Sequence, residues 1–301
     1  MTDLLLSHAE TSVNLAAIVQ ETAERIQQDG ALDGYSVESQ LQLLEELQGF
    51  ELGRFLLVNK GLNGYWTHYV LTHPWHQNEK QLTELEQFIL EKSPLTLAIQ
   101  ERFQIYLDEA QKLVQQGACF ASIPSGTMGE LLYLDFPHID QMSLVGIDYD
   151  PDTLAQAQVM AEERKLTPWV TLEQANAWDI KYDNAFDLIS SNGLSIYESN
   201  DDRVVDLYRV FYQALKPEGT LITSFITPPP TLTNQCEWRM NAINSEHLLK
   251  QKVLYNIIGG KWQCFRSTET TRSQLEAAGF NDVSFIPDKA GMYPTVVAKK
   301  S

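Results

Sequence analysis

Gly126 and Gly129 stand in the run Pro124-Ser125-Gly126-Thr127-Met128-Gly129, and Asp148 closes the next apolar run. Glycines let a backbone approach a ligand closely, and a helix starting at Glu130-Leu131-Leu132 offers unpaired N–H groups in its first turn. A carboxylate at the carboxyl end of a strand accepts hydrogen bonds from both hydroxyls of a ribose. In this order the three features suit a nucleoside. The glycines are spaced GxxG, short of the GxGxxG of dinucleotide-binding turns, so the elements around them carry the argument.

Those elements alternate. Residues 119–123 read as a buried strand ahead of the turn, and 143–147 as a second strand ending at Asp148. Asp150 and Pro151 open a helix that runs to Arg164, with Asp150 as cap and Pro151 in the first turn. Strands follow at 169–173 and 185–190, then a helix over 202–215, a Lys216-Pro217-Glu218-Gly219 turn and a strand over 220–226. This predicts an α/β fold: a parallel, doubly wound sheet with its ligand across the strand ends.

Residues 1–115 read as helical, with apolar stripes over 11–28 and 39–47 and a helix pair over 82–92 and 95–116, split at Ser93-Pro94. Between them, residues 61–76 gather glycines, aromatics and three histidines. One reading makes Tyr65, Trp66 and Tyr69 a lid that stacks on a flat or cationic ligand; the other makes them a packed staple. His68, His73 and His76 lack the spacing of a helical metal pair, and no metal site is expected. Arg102 has two readings as well, a partner for a bound carboxylate or a solvated charge.

The chain has 301 residues, enough for one large α/β domain with an added segment. Its 22 Lys and Arg against 40 Asp and Glu give a formal charge of −18, and no basic run interrupts it. Such a surface repels nucleic acid and anionic membranes. The three cysteines, Cys119, Cys236 and Cys264, are odd in number and far apart, which favours reduced thiols. The N-terminus lacks the basic and apolar regions of a signal peptide, and no window is apolar enough for a membrane span. The expected setting is cytoplasmic, and the sequence is compatible with a homo-oligomer.

Residues 119–226 resemble a class I S-adenosylmethionine-dependent methyltransferase core. The resemblance rests on the glycine turn, Asp148, the stretch Asn176-Ala177-Trp178-Asp179, the run Phe186-Asp187-Leu188-Ile189 and the turn Ala214-Leu215-Lys216-Pro217-Glu218-Gly219. It implies a seven-stranded Rossmann-like sheet whose C-terminal hairpin, a helix over 272–278 and strands over 283–286 and 295–299, is antiparallel. Domains are expected at 1–115, a helical cap segment, and 116–301, the cofactor-binding domain, with residues 227–271 inserted. The resemblance sets the methionine part of the cofactor against Pro124, Ser125, Gly126 and Gly129. The ribose then falls to Asp148, the adenine to Tyr149, Asn176, Ala177 and Trp178, and the methyl end to Asn192 and Gly193. The chain departs from the family's GxGxG turn, and Asn176 stands where an acid is frequent.

The implied reaction is in-line methyl transfer to an unidentified acceptor, for which a small molecule suits the acidity of the chain. Where the acceptor needs a base, His247, His68, Tyr197 and Tyr293 are the candidates. Two alternatives remain: a non-catalytic S-adenosylmethionine-binding or interaction protein on the same scaffold, and a nicotinamide-dependent oxidoreductase.

Overall fold

The computed structural model describes residues 14–76, 81–260 and 264–301. Contacts divide the chain into two compact units, one of residues 14–100 with 239–260, the other of 101–238 with 264–301.

The first unit is helical. It holds α1 (Leu15–Asp29), α2 (Val37–Gln48), α3 (Glu51–Asn59), α4 (Gly64–Thr72), a 3-10 turn at His73–Trp75, α5 (Glu84–Glu91) and the start of α6 (Pro94–Gln111). The caps are polar side chains that accept orphan N–H groups: Asn14 for α1, Ser36 for α2 and Thr83 for α5. Residues 11–13 of the first expected helix lie outside the described residues. The glycine-rich stretch over 61–76 is partly helix, because Asn63 Oδ1 accepts the Trp66 N–H at 3.0 Å and starts α4. Capping there outweighs the helix-breaking tendency of Gly64.

The second unit follows as β1 (Cys119–Ser122), α7 (Gly129–Leu132), β2 (Ser143–Asp148), α8 (Pro151–Glu163), β3 (Val170–Gln174), β4 (Phe186–Ser191), α9 (Leu194–Tyr197), α10 (Asp201–Ala214) and β5 (Leu215–Ser224). After α11 (Ser245–Ile258) come α12 (Thr268–Ala278), β6 (Asp282–Ile286) and β7 (Thr295–Lys299). The seven strands form one sheet in the order β3-β2-β1-β4-β5-β7-β6, parallel except for β7, which runs antiparallel to both neighbours. This is the Rossmann-like arrangement expected.

Strand alternation explains the two layers of helix. Ala121, Val145, Ile147, Ile189 and Leu221 join one buried cluster with Val204, Leu207 and Phe211 of α10 and Leu275 of α12. Their neighbours Phe120, Leu144, Leu188 and Ile222 are buried as well, so the central strands are covered on both faces.

Three boundaries differ from expectation. The Lys216–Gly219 turn is absorbed into β5, where the Glu218 N–H donates to the Lys300 carbonyl at 2.8 Å and the Lys300 N–H returns to Gly219 at 2.9 Å. A Cβ on Gly219 would lie 2.8 Å from the Lys216 carbonyl oxygen, so only glycine fits there. The helix expected at 272 starts at Thr268, because Ser267 caps it. Between β5 and β6, α11 belongs to the helical unit: Val253, Leu254 and Ile257 join its core, and Arg25 Nη2 donates to the carbonyls of Asn256 and Ile257 at 2.9 Å each.

Candidate functional site

The strand order reverses between β1 and β4, and open parallel sheets bind ligands outside the carboxyl ends of their strands at such a point. The chain leaves β1 through Ile123, whose N–H donates to the Ser190 carbonyl of β4 at 2.8 Å. It then turns through Ser125, whose N–H donates to the Ile147 carbonyl of β2 at 2.8 Å. Gly126 adopts φ +49°, and nothing lies within 4 Å of where a Cβ would stand. That face of the turn is open.

Asp148 ties the turn to β2. Its Oδ2 accepts the Gly126 N–H at 3.0 Å and its Oδ1 accepts the Asp150 N–H at 3.1 Å. The glycine turn and the acid after β2, read as partners from the sequence, are therefore in direct contact. Burial raises the Asp148 carboxyl above its ordinary range, and these backbone donors work against the rise. The carboxylate keeps acceptor capacity beyond these backbone bonds.

Glu130 was not anticipated as a site residue. It sits in the first turn of α7 at 6 % exposure, and its Oε1 accepts Ser122 Oγ at 2.6 Å and Ser190 Oγ at 3.2 Å. Ser122 ends β1 and Ser190 lies near the end of β4, so this carboxyl bridges the switch point. Burial pushes its pKa up; the two serine hydroxyls and the field of Arg102 oppose the rise. A carboxyl whose folded pKa is raised contributes stability below its unfolded pKa and loses it as pH rises through the folded value. Glu130→Gln keeps an acceptor for both serines and carries no charge. We expect its Tm to exceed that of the natural chain at about pH 8 and the gap to close toward the ordinary carboxylate range, about pH 4 to 4.5. A thermal scan series over pH checks this; a gap that widens in acid contradicts it.

Around these groups the remaining cofactor candidates take up separate tasks. The Tyr149 ring is 49 % exposed beside Asp148, while its carbonyl accepts Gln174 Nε2 at 3.1 Å. Asn176 Oδ1 accepts the Trp178 N–H at 3.1 Å and shapes the loop after β3. Trp178 turns to α10: its Nε1 donates to the Arg203 carbonyl at 2.8 Å and the Arg203 guanidinium lies 5.0 Å from its ring. Ala177 packs in the sheet core. After β4, Gly193 at φ +87° opens α9, and Asn192 Oδ1 is buried without a partner.

The four base candidates divide between the units. Tyr197 ends α9 and Tyr293 lies in the β6–β7 loop, both in the sheet unit. His247 and His68 belong to the helical unit, where the His247 ring meets Phe88 edge-on at 5.6 Å. Burial, aided by His76, lowers the His68 pKa to about 4 and keeps it neutral near pH 7. The aromatic trio lies there too. Trp66, at 8 % exposure, is part of that unit's core with Tyr65 and Tyr69 edge-on at 5.1 and 5.3 Å. Tyr69 Oη donates to Glu86 at 3.1 Å, and Tyr65 is 51 % exposed. Arg102, expected in one reading as a solvated charge, is buried at 6 % exposure. Among the described residues no three His, Cys, Asp or Glu side chains are arranged to hold a metal ion, and no helix is long and apolar enough to cross a membrane.

Comparison with known proteins adds three findings. A family model described as a methyltransferase domain matches residues 125–219. A solved structure described as a possible exported protein from Bordetella parapertussis is 41% identical, with 99% of each chain covered and a TM-score of 0.92. Magnesium protoporphyrin IX methyltransferase from Synechocystis PCC 6803, solved with bound SAH, shares the fold at 13% identity and a TM-score of 0.51, covering 79% of this chain and 98% of its own. No curated protein matches the sequence. The matched segment runs from the glycine turn after β1 through Asp148 and β4 into β5, so this stretch of the chain is similar to a methyltransferase domain.

Proposed function

We propose that the protein transfers the methyl group of S-adenosylmethionine to a small-molecule acceptor. The observation that carries this reading is the Asp148 carboxylate, which holds the open Gly126 turn at 3.0 Å while keeping acceptor capacity for a ribose. The residues present fit the cofactor. Asp148 would accept the ribose hydroxyls, the exposed Tyr149 ring would flank the adenine, and Ser125 to Gly129 would lie against the methionine part. The buried, unpartnered Asn192 Oδ1 would line the methyl end.

When bound, S-adenosylmethionine supplies a methyl group already activated on a sulfonium. The chain's own residues then need to orient an acceptor atom in line with it, at about 3 to 3.5 Å, and to keep water out. Where the acceptor carries a proton, Tyr197 and Tyr293 are the sheet-unit side chains proposed to take it, with His68 and His247 the alternatives from the helical unit. Tyr65, Trp66 and Tyr69 are proposed to meet the acceptor. The acidic surface disfavours nucleic acid as substrate. Three unpaired cysteines support a cytoplasmic setting; recovery of the protein outside the cell on fractionation would overturn that assignment.

Calorimetric titration of the full chain tests the reading. S-adenosylmethionine and S-adenosylhomocysteine are expected to bind saturably, and NADH and NADPH not at all. A folded protein that binds neither sulfur nucleoside overturns the proposal; binding without turnover on any acceptor would support the non-catalytic scaffold instead.

A further inference from the structure

Arg102 lies in the sheet-unit part of α6, with Phe103 and Tyr106 buried beside it. Its guanidinium is 5.0 Å from the centre of the Tyr293 ring, and Nη1 donates to Ser224 Oγ at 3.2 Å. Nε is buried and meets no acceptor. Among the described residues no carboxylate comes within ion-pair distance of it. A cation out of water without a counter-charge is costly, and the cost falls when a ligand supplies the anion. The Glu130 carboxyl feels its field, but its hydrogen bonds go to the Ser122 and Ser190 hydroxyls and not to the guanidinium.

The surroundings hold the guanidinium in place. Tyr293 is anchored by its own N–H, which donates to Asp288 Oδ2 at 2.6 Å, and Asp288 is fully buried and also accepts the Ala290 N–H at 2.9 Å. Thr227 Oγ1 donates to the Gly291 carbonyl at 2.8 Å and in turn accepts Trp238 Nε1 at 3.0 Å. Glu101, next to Arg102 in sequence, accepts the Lys289 N–H at 2.8 Å. The β6–β7 loop is thereby fastened at several points around the ring that faces Arg102, a degree of preorganisation that a chance buried charge does not need.

Position assigns the site to the reaction. Ser224 is the last residue of β5, and Tyr106, one turn along α6, donates from Oη to the carbonyl of Ser191, the last residue of β4, at 3.2 Å. Arg102 therefore stands at the carboxyl edge of β4 and β5, on the far side of the switch point from Asp148 and β2. We propose that Arg102 sets acceptor specificity: the molecule that is methylated bears a carboxylate, which the guanidinium binds at the β4–β5 edge. The planar, two-pronged arginine head matches a carboxylate in a way a lysine would not. This rests on the methyltransferase reading above. The amino-acid tail of the cofactor offers the same chemistry, but its expected place is the Pro124–Gly129 turn.

Binding experiments on the full chain separate these sources. With S-adenosylhomocysteine present at saturation, benzoate or octanoate is expected to bind about tenfold or more tightly than benzamide or octanamide, a difference of about 1.4 kcal/mol. Arg102→Gln is expected to erase that preference and leave the Kd of S-adenosylhomocysteine within about twofold. Arg102→Lys, which keeps the charge, is expected to retain part of the preference. Two results would overturn the proposal. One is a natural chain that binds both carboxylates no better than the amides, a comparison that needs no variant. The other is an Arg102→Gln protein that loses S-adenosylhomocysteine about tenfold but binds 5′-methylthioadenosine, which lacks the carboxylate, as before. Repeating the carboxylate and amide titrations without S-adenosylhomocysteine reads the anion site by itself, so failure of cofactor binding and failure of the arginine site are told apart.

Discussion

Replacing Asp148 by alanine is expected to weaken S-adenosylhomocysteine binding by about two orders of magnitude. Charge-assisted hydrogen bonds are worth about 1.5 to 3 kcal/mol each, and loss of the pair to a ribose removes about 3 kcal/mol, or roughly 100-fold. The same substitution strips the Gly126 N–H of its 3.0 Å acceptor and loosens the turn itself. Asp148→Asn separates the two effects, because its carbonyl can still take the Gly126 N–H while the charge is gone; a loss of about tenfold is expected. Burial raises the Asp148 carboxyl, so affinity is expected to fall as pH drops through the acid range and the acceptor becomes protonated. Calorimetry at several pH values measures all three. An alanine variant that binds within about twofold of the natural chain would remove Asp148 from the site.

The largest stability loss in the sheet unit is expected from Arg266→Ala, at about 3 to 5 kcal/mol. The buried guanidinium donates from Nη1 to the Ser195 carbonyl at 2.7 Å, from Nη2 to the Glu198 carbonyl at 2.6 Å and from Nε to Asp201 Oδ1 at 2.8 Å. Asp201 is mostly exposed, and its share of the loss is small. The two carbonyls matter more: that of Glu198, the residue capping α9, would be left without a donor at about 1 to 3 kcal/mol, and that of Ser195 would keep only the Glu198 N–H at 3.4 Å. They bracket Tyr197 and follow Asn192 and Gly193, so the loss is expected to carry into ligand affinity. Urea unfolding followed by fluorescence gives the number, and a loss below about 1 kcal/mol would contradict the account. Arg266→Lys should recover only a minor part, because one ammonium cannot reach three acceptors placed around a fork.

What could be seen in the sequence was local. Gly126, Gly129 and Asp148 are a matter of residue type at short range, and Asp150 with Pro151 announces α8 in the same way. The α4 helix was hidden because Gly61 and Gly64 signal breaks, whereas its start depends on one side-chain bond from Asn63. The join of Lys216–Gly219 to β5 depends on Lys300, far along the chain, and no window of sequence contains both. Trp178 could be named but not its direction, which Arg203 fixes. Arg102 left a usable trace: with Phe103, Tyr106, Leu107 and Ala110 it lies along the apolar side of α6, where a solvated arginine has no reason to be. Glu130 left none, since its role comes from Ser122 and Ser190 on two different strands.

The position of β7 bears on how the chain acquires its shape. It stands between β5 and β6 although it follows both in sequence, pairing Ser224 with Thr295 on one side and Ile286 with Thr295 on the other. As the chain emerges from the ribosome, β5 therefore presents an open edge from the time it is made until β7 arrives, and an open strand edge is a template for pairing with other chains. Closing it requires a contact between distant segments, which is slow because the loop entropy must be met first. The interval between β5 and β7 is thus the period of greatest exposure to aggregation, and holding that edge covered is what a chaperone would do for this protein.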